Sequence, residues 1–258
     1  MASRIAGVVI AGNLLSVQKA DGSLFNAPPD TNEPRNSNKN SAAKMTSRAN
    51  ASLTPTPPSV LLSHLVQLSS SLPVVLLPGA SDPVSAALPQ QSIHRAVLRG
   101  ADEWGGSPSH GGISLYNNPS WVQFGTTNLL CTSGQPLDDL AKYTPHGGSG
   151  ESTTRTKIAH HLLNYGHMAP TCPDTLWCYP FTDRDPFIIG SDDHETIPDV
   201  FVIGNQPQFE DSVYVEDEGQ SRITVRVILL PRFSVTGEVA LLNLRSQKVR
   251  KVNIGWVQ

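Results

Sequence analysis

Three groups of side chains in the sequence could bind a metal ion or act as nucleophiles. They are the adjacent pair His160 and His161, the run Asp192-Asp193-His194-Glu195, and His167 with Cys172 and Cys178. Adjacent residues on a helix point in different directions, so the histidine pair is predicted to be solvated or to cap the helix rather than to share an ion. The acidic run lies in a polar loop, which is typical of solvated charges. The spacing of His167 and the two cysteines matches no common zinc pattern.

Local signatures of nucleophilic catalysis and phosphate binding are also missing. No Ser-His-Asp or Cys-His signature such as G-x-S-x-G can be assembled. The Gly/Ser-rich stretch at 145–155 lacks the GK[ST] of a phosphate-binding loop. The three cysteines form no CxxC pair, so free thiols in a reducing compartment are expected rather than a disulfide or a zinc site.

The composition limits the class of protein. A chain of 258 residues can bury a sizeable hydrophobic core. The formal charge of −3 provides no net positive field, which disfavours tight autonomous binding to DNA. The 21 prolines, 20 glycines and hydrophobic share of 38% indicate ordered structure interrupted by polar insertions. No apolar run approaches the roughly 20 residues that a membrane-spanning helix needs.

The elements that must position the polar side chains follow from the hydrophobic pattern. Leucines from Leu61 to Leu72 recur at helical spacing, and PVVLLPG at 73–79 has the pattern of a strand buried on both faces. A hairpin is predicted around 125–128 and a short helix ending at Gly166. Further strands are predicted at 199–205, 223–231, 238–246 and 251–257. Alternating strands and helices followed by consecutive strands predict an α/β sandwich with a mixed sheet.

The N-terminal segment has two interpretations. The β-branched run Val8 to Ile10 before Gly12 predicts a buried strand. A signal peptide at 1–20 of a secreted protein is the alternative, but the minimal charged region and the lack of a clean cleavage site favour the strand. The polar stretches at 17–58, 100–112 and 145–156 are predicted to be disordered inserts in one domain that covers 1–258.

Three of the predicted apolar strands end at or next to a glycine. Their sequences are VVIAGNLLS, VVLLPGASDP and VFVIGNQPQF. Their order resembles the metal-ligand loops of calcineurin-like metallophosphoesterases, which implies that sandwich fold with mixed sheets. A two-metal hydrolase needs carboxylate and imidazole ligands. The resemblance places other residues at the ligand positions: Asn13, Ser16, Ala80, Ser81, Asn205 and Pro207. It therefore implies a degenerate site with no metal, no cofactor and no catalytic residue.

Longer blocks resemble a narrower family. They are LPGASDPVSAALPQQSIH, LLCTSGQPLDDL, APTCPDTLWCYPF and PRFSVTGEVALLNLRS. These blocks are similar to the B subunits of the replicative DNA polymerases alpha, delta and epsilon, in the delta version. The resemblance implies a nuclear scaffold that joins the catalytic subunit, through its cysteine-rich C-terminal domain, to a further accessory subunit, with DNA contacted only within the complex. It also implies a partial fold that lacks the opening strand and the upstream OB domain of such subunits.

The Pro-rich segment that contains Trp177, Tyr179 and Phe181 cannot be a helix or a central strand. Large rings are typically buried in a core or at an interface. Two interpretations therefore stay open, an ordered loop packed on its own domain or a contact with a partner protein. The competing hypothesis for the whole chain is a metal-dependent phosphodiesterase or nuclease with unorthodox ligands, in which Asp82 would be required.

Overall fold

The computed structural model describes residues 5–15, 58–98, 112–144, 155–190, 197–218 and 221–255. The strands in these ranges are β1 (Val8–Ala11), β2 (Pro73–Leu77), β3 (Gly112–Leu115), β4 (Ser120–Phe124), β5 (Thr127–Thr132), β6 (Val200–Gln206), β7 (Glu210–Glu218), β8 (Ser221–Pro231), β9 (Glu238–Leu242) and β10 (Val249–Asn253). The helices are α1 (Pro58–Ser69), α2 (Gln135–Ala141), α3 (Arg155–Asn164) and α4 (Phe233–Thr236), and a 3₁₀ turn covers Arg95–Leu98.

The strands form two sheets and a separate two-stranded ribbon. The first sheet has the order β1-β2-β3 and is parallel. The second has the order β4-β5-β6-β8-β7, with parallel pairing in its centre and antiparallel pairing at both margins. The ribbon pairs β9 with β10 in antiparallel register. The fold is therefore mixed α/β with sheets of mixed orientation, as the sequence predicts.

Three apolar clusters hold the layers together. Side chains of β2 alternate between two of them: Val75 and Leu77 face the second sheet, whereas Val74 and Leu76 pack toward α1. The outer face of the second sheet is covered by α3 and by the segment 166–190. The period of two along β2 places both of its faces in apolar surroundings, which explains why its sequence is continuously apolar. The two sheets are thus packed face to face, with helices on their outer sides.

Most of the predicted elements are confirmed. The N-terminal strand pairs with β2, which supports the strand interpretation of Val8 to Ile10. The leucine-striped helix, the strand after Pro73, the hairpin β4–β5 and the helix before Gly166 are all present. The four later strands are present as β6, β8, β9 and β10, with shifted ends.

Some boundaries and elements differ from the prediction. The strands β3 and β7 and helix α2 were missed, and β9 ends at Leu242 rather than at 246. The chain turns there because the side-chain oxygen of Asn243 accepts hydrogen bonds from the amides of Arg245 (3.0 Å) and Ser246 (2.9 Å). An asparagine that bonds the backbone two or three residues ahead favours a turn over a continued strand.

The predicted inserts lie almost entirely outside the described residues. Only their last residues are described: Pro58 begins α1, Gly112 begins β3, and Arg155 and Thr156 begin α3. The inserts are therefore corrected at these ends to 17–57, 100–111 and 145–154, and their disorder stays a prediction. None of the helices in the described ranges combines the length and apolar character needed to cross a lipid bilayer.

Candidate functional site

The glycine-containing strand ends meet where the two sheets approach each other. β1 leads into Gly12, β2 leads into Gly79, and β6 contains Gly204. Backbone lies directly against backbone there: a Cβ atom on Gly79 would overlap the amide nitrogen of Asn13, and one on Gly204 would overlap the carbonyl oxygen of Ala11. We call this region the strand-end junction. The three loops that the sequence singled out do lie together, and only glycine allows so close an approach.

Asn13 connects the first loop to the second. Its side-chain oxygen accepts hydrogen bonds from the amide of Ser81 (2.9 Å) and from the Ser81 hydroxyl (2.8 Å). Its backbone has a φ of 57°, in the left-handed region that asparagine tolerates better than most residues. A neutral amide thus joins the loops at a position where the phosphoesterase resemblance expects a bridging carboxylate.

Asn205 connects the third loop to the first sheet. Its side-chain nitrogen donates to the carbonyl oxygens of Ala11 (3.0 Å) and Ser133 (2.9 Å). Its φ of 58° is also left-handed. Because Ala11 ends a strand of the first sheet and Ser133 follows a strand of the second, one amide group joins the two sheets directly.

Asp82 is the buried acid of the junction, with only 4% of its surface exposed. Its carboxylate accepts hydrogen bonds from the amides of Gly79 (2.8 Å), Leu14 (3.3 Å) and Leu15 (2.6 Å). Burial raises the pKa of this carboxyl above its usual value, although the backbone hydrogen bonds act in the opposite direction. Its lone pairs are therefore directed at the backbone of two loops, which is a structural role.

A cluster of neutral polar side chains lies beneath the junction. The side-chain nitrogen of Asn118 donates to Gln90 Oε1 (2.8 Å) and Gln135 Oε1 (2.9 Å), and its oxygen accepts from Thr132 (3.1 Å) and from the amide of Ser133 (3.0 Å). Gln90 and Asn118 also exchange backbone hydrogen bonds of 2.7 and 3.0 Å. All of these residues except the half-buried Gln135 are buried, and their groups satisfy one another, which is the condition under which buried polar groups do not destabilise a core.

Of the other candidate positions, Ala80 and Pro207 are exposed, and Ser16 lies outside the described residues. In the described ranges, no group of three or more His, Cys, Asp or Glu side chains is close enough to share a metal ion. The run from Asp192 to Glu195 falls outside those ranges.

The histidines that the sequence singled out lie apart on the outer layer. His160 Nε2 is 2.8 Å from the hydroxyl of Ser212 on β7, and burial, together with the charge of neighbouring His161, lowers its pKa. His167 Nε2 is 3.0 Å from a carboxylate oxygen of Asp185. These contacts attach α3 and the following loop to their surroundings.

All three cysteines are free thiols. Burial raises the pKa of Cys131 to about 12. Burial and the adjacent Cys178 raise the pKa of Cys172 to about 12 as well. Because the thiolate is the reactive form, thiols with such values are poor nucleophiles at neutral pH.

The segment 166–190, which we call the aromatic loop, is anchored along its length. Its backbone exchanges hydrogen bonds with Leu88, which accepts from the amide of Tyr179 (2.9 Å) and donates to the carbonyl of Trp177 (2.8 Å). The amide of Met168 donates to Phe187 (2.7 Å), and both side chains are buried in the outer cluster. The loop therefore has a fixed conformation despite its prolines.

Asp139 on α2 anchors the same loop from the helix side. Its carboxylate accepts hydrogen bonds from Lys142 (2.8 Å) and from the hydroxyl of Thr175 (2.6 Å) while only 2% of the residue is exposed. Burial alone would raise the pKa of Asp139, but these hydrogen bonds outweigh it, so the pKa lies below its usual value. The anchor therefore depends on the charged form of the acid.

The anchored loop holds large rings in solvent. Trp177 is 68% exposed, Phe181 42% and Tyr179 36%. Beside them lies an open cavity of about 480 Å³, whose lining includes Pro173, Tyr179, Phe181 and Arg184. Clustered exposed aromatic residues on a fixed backbone are typical of protein-binding surfaces.

Comparison with known proteins identifies the family of this chain. A sequence model of the B subunits of DNA polymerases alpha and epsilon matches residues 1–211, which is most of the chain. The chain belongs to this family. Within the B-subunit family it is 36% identical over 182 residues to the DNA polymerase delta small subunit of Oryza sativa subsp. japonica, an alignment that covers 70% of this chain and 38% of that protein.

Two further members of the B-subunit family give the same picture. The DNA polymerase delta small subunit of Arabidopsis thaliana is 37% identical over 182 residues, with 70% of this chain and 37% of that protein covered. The protein of that name from Saccharomyces cerevisiae is 32% identical over 202 residues, with 71% and 40% covered. The chain therefore spans less than half the length of the curated relatives that it matches.

The buried amides of this B-subunit-family chain were missed from the sequence, although the loops above them were found. Gln90 lies within the block LPQQSIH, and Asn118 lies within the polar run before β4. Both surroundings are typical of loops in the sequence. The available signal was the position of these amides next to buried apolar strands, where an unpaired polar group is costly.

Proposed function

We propose that this chain is a non-catalytic B subunit of the DNA polymerase delta complex, acting in DNA replication in the nucleus. It joins the catalytic subunit, through that subunit's cysteine-rich C-terminal domain, to a further accessory subunit. The names of the curated relatives support the delta assignment. In this proposal polymerase activity belongs to the catalytic subunit, and residues 1–258 form one inactive, calcineurin-like phosphoesterase domain.

The observation that carries the proposal is the chemistry of the strand-end junction. Neutral amides and a hydroxyl join the loops there: Asn13 bonds to Ser81, and Asn205 bonds to the backbone of Ala11 and Ser133. The one carboxylate of the junction, Asp82, accepts hydrogen bonds from backbone amides. A dinuclear hydrolase requires anionic and imidazole ligands directed at a shared point. Here the corresponding groups serve to hold the two sheets together, which suits a scaffold.

The aromatic loop is the candidate surface for a partner protein of the complex. Its rings are exposed while its backbone is fixed by Leu88 and by Asp139. A surface that is ordered before binding loses little conformational entropy when it binds. Trp177 is the most exposed of the three rings, so it is the side chain with the most area to bury against a partner.

Co-expression with the C-terminal domain of the catalytic subunit, followed by affinity capture and titration, tests the proposal. We expect capture of the unsubstituted chain, with Trp177→Ala weakening the complex by about 30-fold, the loss expected when a buried tryptophan that contributes about 2 kcal/mol is truncated. Trp121→Ala is the matched control, since Trp121 is also exposed (39%) but lies on the edge strand β4.

Two results would count against the proposal. Failure of the unsubstituted, folded chain to be captured would remove the scaffold function. Equal loss of capture in Trp177→Ala and Trp121→Ala would leave the scaffold intact but exclude the aromatic loop as its specific contact. Thermal unfolding of each variant, followed by circular dichroism, establishes that the comparison is made between folded proteins.

A further inference from the structure

The formal charge of −3 conceals an uneven distribution of charge along the chain. Residues 232–255 contain five cationic side chains and a single carboxylate, Glu238. Lys251 Nζ lies 2.8 Å from that carboxylate, so Glu238 already has a cationic partner. The remaining cations of the ribbon β9–β10 are Arg245, Lys248 and Arg250, and all three are exposed.

The ribbon arranges these cations on its outer side. Leu242 and Val249 face each other across the ribbon and pack against the core between the sheets. Because successive side chains of a strand point to opposite faces, Lys248 and Arg250 lie on the face turned away from that core. Leu241, opposite Arg250 in the register, is 50% exposed, consistent with an outward face.

The tip of the ribbon is held in place, which fixes Arg245 relative to the other two. Asn243 accepts from the amide of Arg245 (3.0 Å), and the backbone of Asn243 pairs with that of Lys248 (3.0 Å). The Thr127 hydroxyl donates to the carbonyl of Leu244 (3.2 Å) and so attaches the tip to the start of β5. The three cations therefore share one rigid element rather than a free tail.

We propose that this cationic face, formed by Arg245, Lys248 and Arg250, binds the phosphate backbone of duplex DNA without regard to sequence. Among the described residues, none of the three has an ion-pair partner. Exposed lysine and arginine side chains without neighbouring carboxylates are the groups that neutralise phosphates and release counterions. The choice of DNA as the polyanion rests on the proposed function, whereas the charge of the face does not.

Fluorescence anisotropy of a labelled DNA duplex of arbitrary sequence, titrated with the full chain over a series of salt concentrations, tests this face. The triple variant R245A/K248A/R250A is expected to bind about tenfold or more weakly at low salt. The slope of log affinity against log salt should fall by about 0.9 for each phosphate contact that is lost. The control R95A/K157A/R222A is matched in charge: it removes three exposed cations from other elements, where each already takes part in another contact.

The outcomes separate this proposal from the scaffold function. Equal weakening in both triple variants would reduce the effect to net charge and overturn the proposal, as would an unsubstituted chain that fails to bind DNA at low salt. If R245A/K248A/R250A lost capture by the catalytic subunit's domain but kept its affinity for DNA, the face would bind an acidic protein surface. That result would also overturn the proposal. Retained capture together with lost DNA binding is the expected result.

Discussion

At the scale of single residues, the amides of the strand-end junction bond to groups that belong to neighbouring loops and strands. A bridging carboxylate needs a cation to balance its charge, whereas an asparagine needs only partners for one donor and one acceptor group. The side-chain nitrogen of Asn205 donates to two carbonyl oxygens, one at a strand end of each sheet. Its contribution should therefore appear in stability and not in any reaction rate.

Replacing Asn205 with alanine should lower the free energy of unfolding by about 1–3 kcal/mol, because two partly buried carbonyl oxygens lose their donor. Alanine also fits the left-handed backbone at this position poorly. Urea unfolding followed by circular dichroism measures the change. Gln208→Ala is the control, since Gln208 bonds to Glu210 in solvent and should change stability by less than about 0.5 kcal/mol.

Asp82 distinguishes the scaffold from the rival hydrolase. Asp82→Ala leaves three backbone amides without their acceptor, so it should lower the free energy of unfolding by more than about 3 kcal/mol. We expect the unsubstituted chain to show no manganese-dependent hydrolysis of a generic phosphodiester. A measurable rate that Asp82→Ala abolishes, while the variant remains folded in the assay, would support the hydrolase instead.

At the scale of elements, the aromatic loop is joined to α2 by a charged acid. Folding lowers the pKa of Asp139 below the ordinary aspartate value of 3.8. At a pH near or below 3.8, Asp139 therefore binds a proton more readily in the unfolded chain than in the folded protein. The stability that this group provides is fully present above that value and is lost as the pH falls through the lower, folded-state pKa. The loop should loosen at that point.

The signal of the Trp177 indole N–H in nuclear magnetic resonance spectra should report this loosening. It should shift and broaden as the pH is lowered below about 3.8, while the protein stays folded in far-ultraviolet circular dichroism. Thr175→Val removes the hydroxyl that bonds to Asp139 and should produce the same change already at neutral pH. If neither the lower pH nor Thr175→Val changed the Trp177 signal, the backbone hydrogen bonds to Leu88 would be sufficient to anchor the loop.

The elements that could be predicted from the sequence are those with a strong hydrophobic period. The continuous apolar run of β2 and the leucine stripe of α1 are examples. Strand β7 was missed because acidic residues occupy much of it, although Tyr214 on its inner face packs against the outer core. Helix α2 was missed because it is short and begins with Gln135-Pro136. Proline is common in loops as well as in the first turn of a helix, so this pair did not indicate a helix start. The candidate loops were predictable as strand ends, but which side chains bond across them depends on sheet packing.

At the scale of the whole molecule, the two sheets are held together at one end by backbone contact. Gly204→Ala would place a methyl group against the carbonyl oxygen of Ala11 and 2.9 Å from its Cβ, across the boundary between the sheets. Neither strand end can move without disturbing the hydrogen bonds of its own sheet. The free energy of unfolding should therefore fall by about 3 kcal/mol or more.

Thermal unfolding of Gly204→Ala tests this contact. Gly255→Ala is the matched control, because a methyl group there meets no atom within 4 Å and its backbone is not left-handed, so its melting temperature should equal that of the parent. A Gly204→Ala protein as stable as the Gly255→Ala protein would mean that the sheets can separate locally without loss of packing.

The bond between Asn13 and Ser81 also bears on whether single substitutions could introduce a metal site at the strand-end junction. Converting Asn13 to aspartate would place a second carboxylate beside the loop that already contains buried Asp82. The two acids would repel each other, and the variant would lose stability before it gained any ligand. A metal site at the junction would therefore require several substitutions at once, and a lineage that changes one residue at a time would lose stability at the first step.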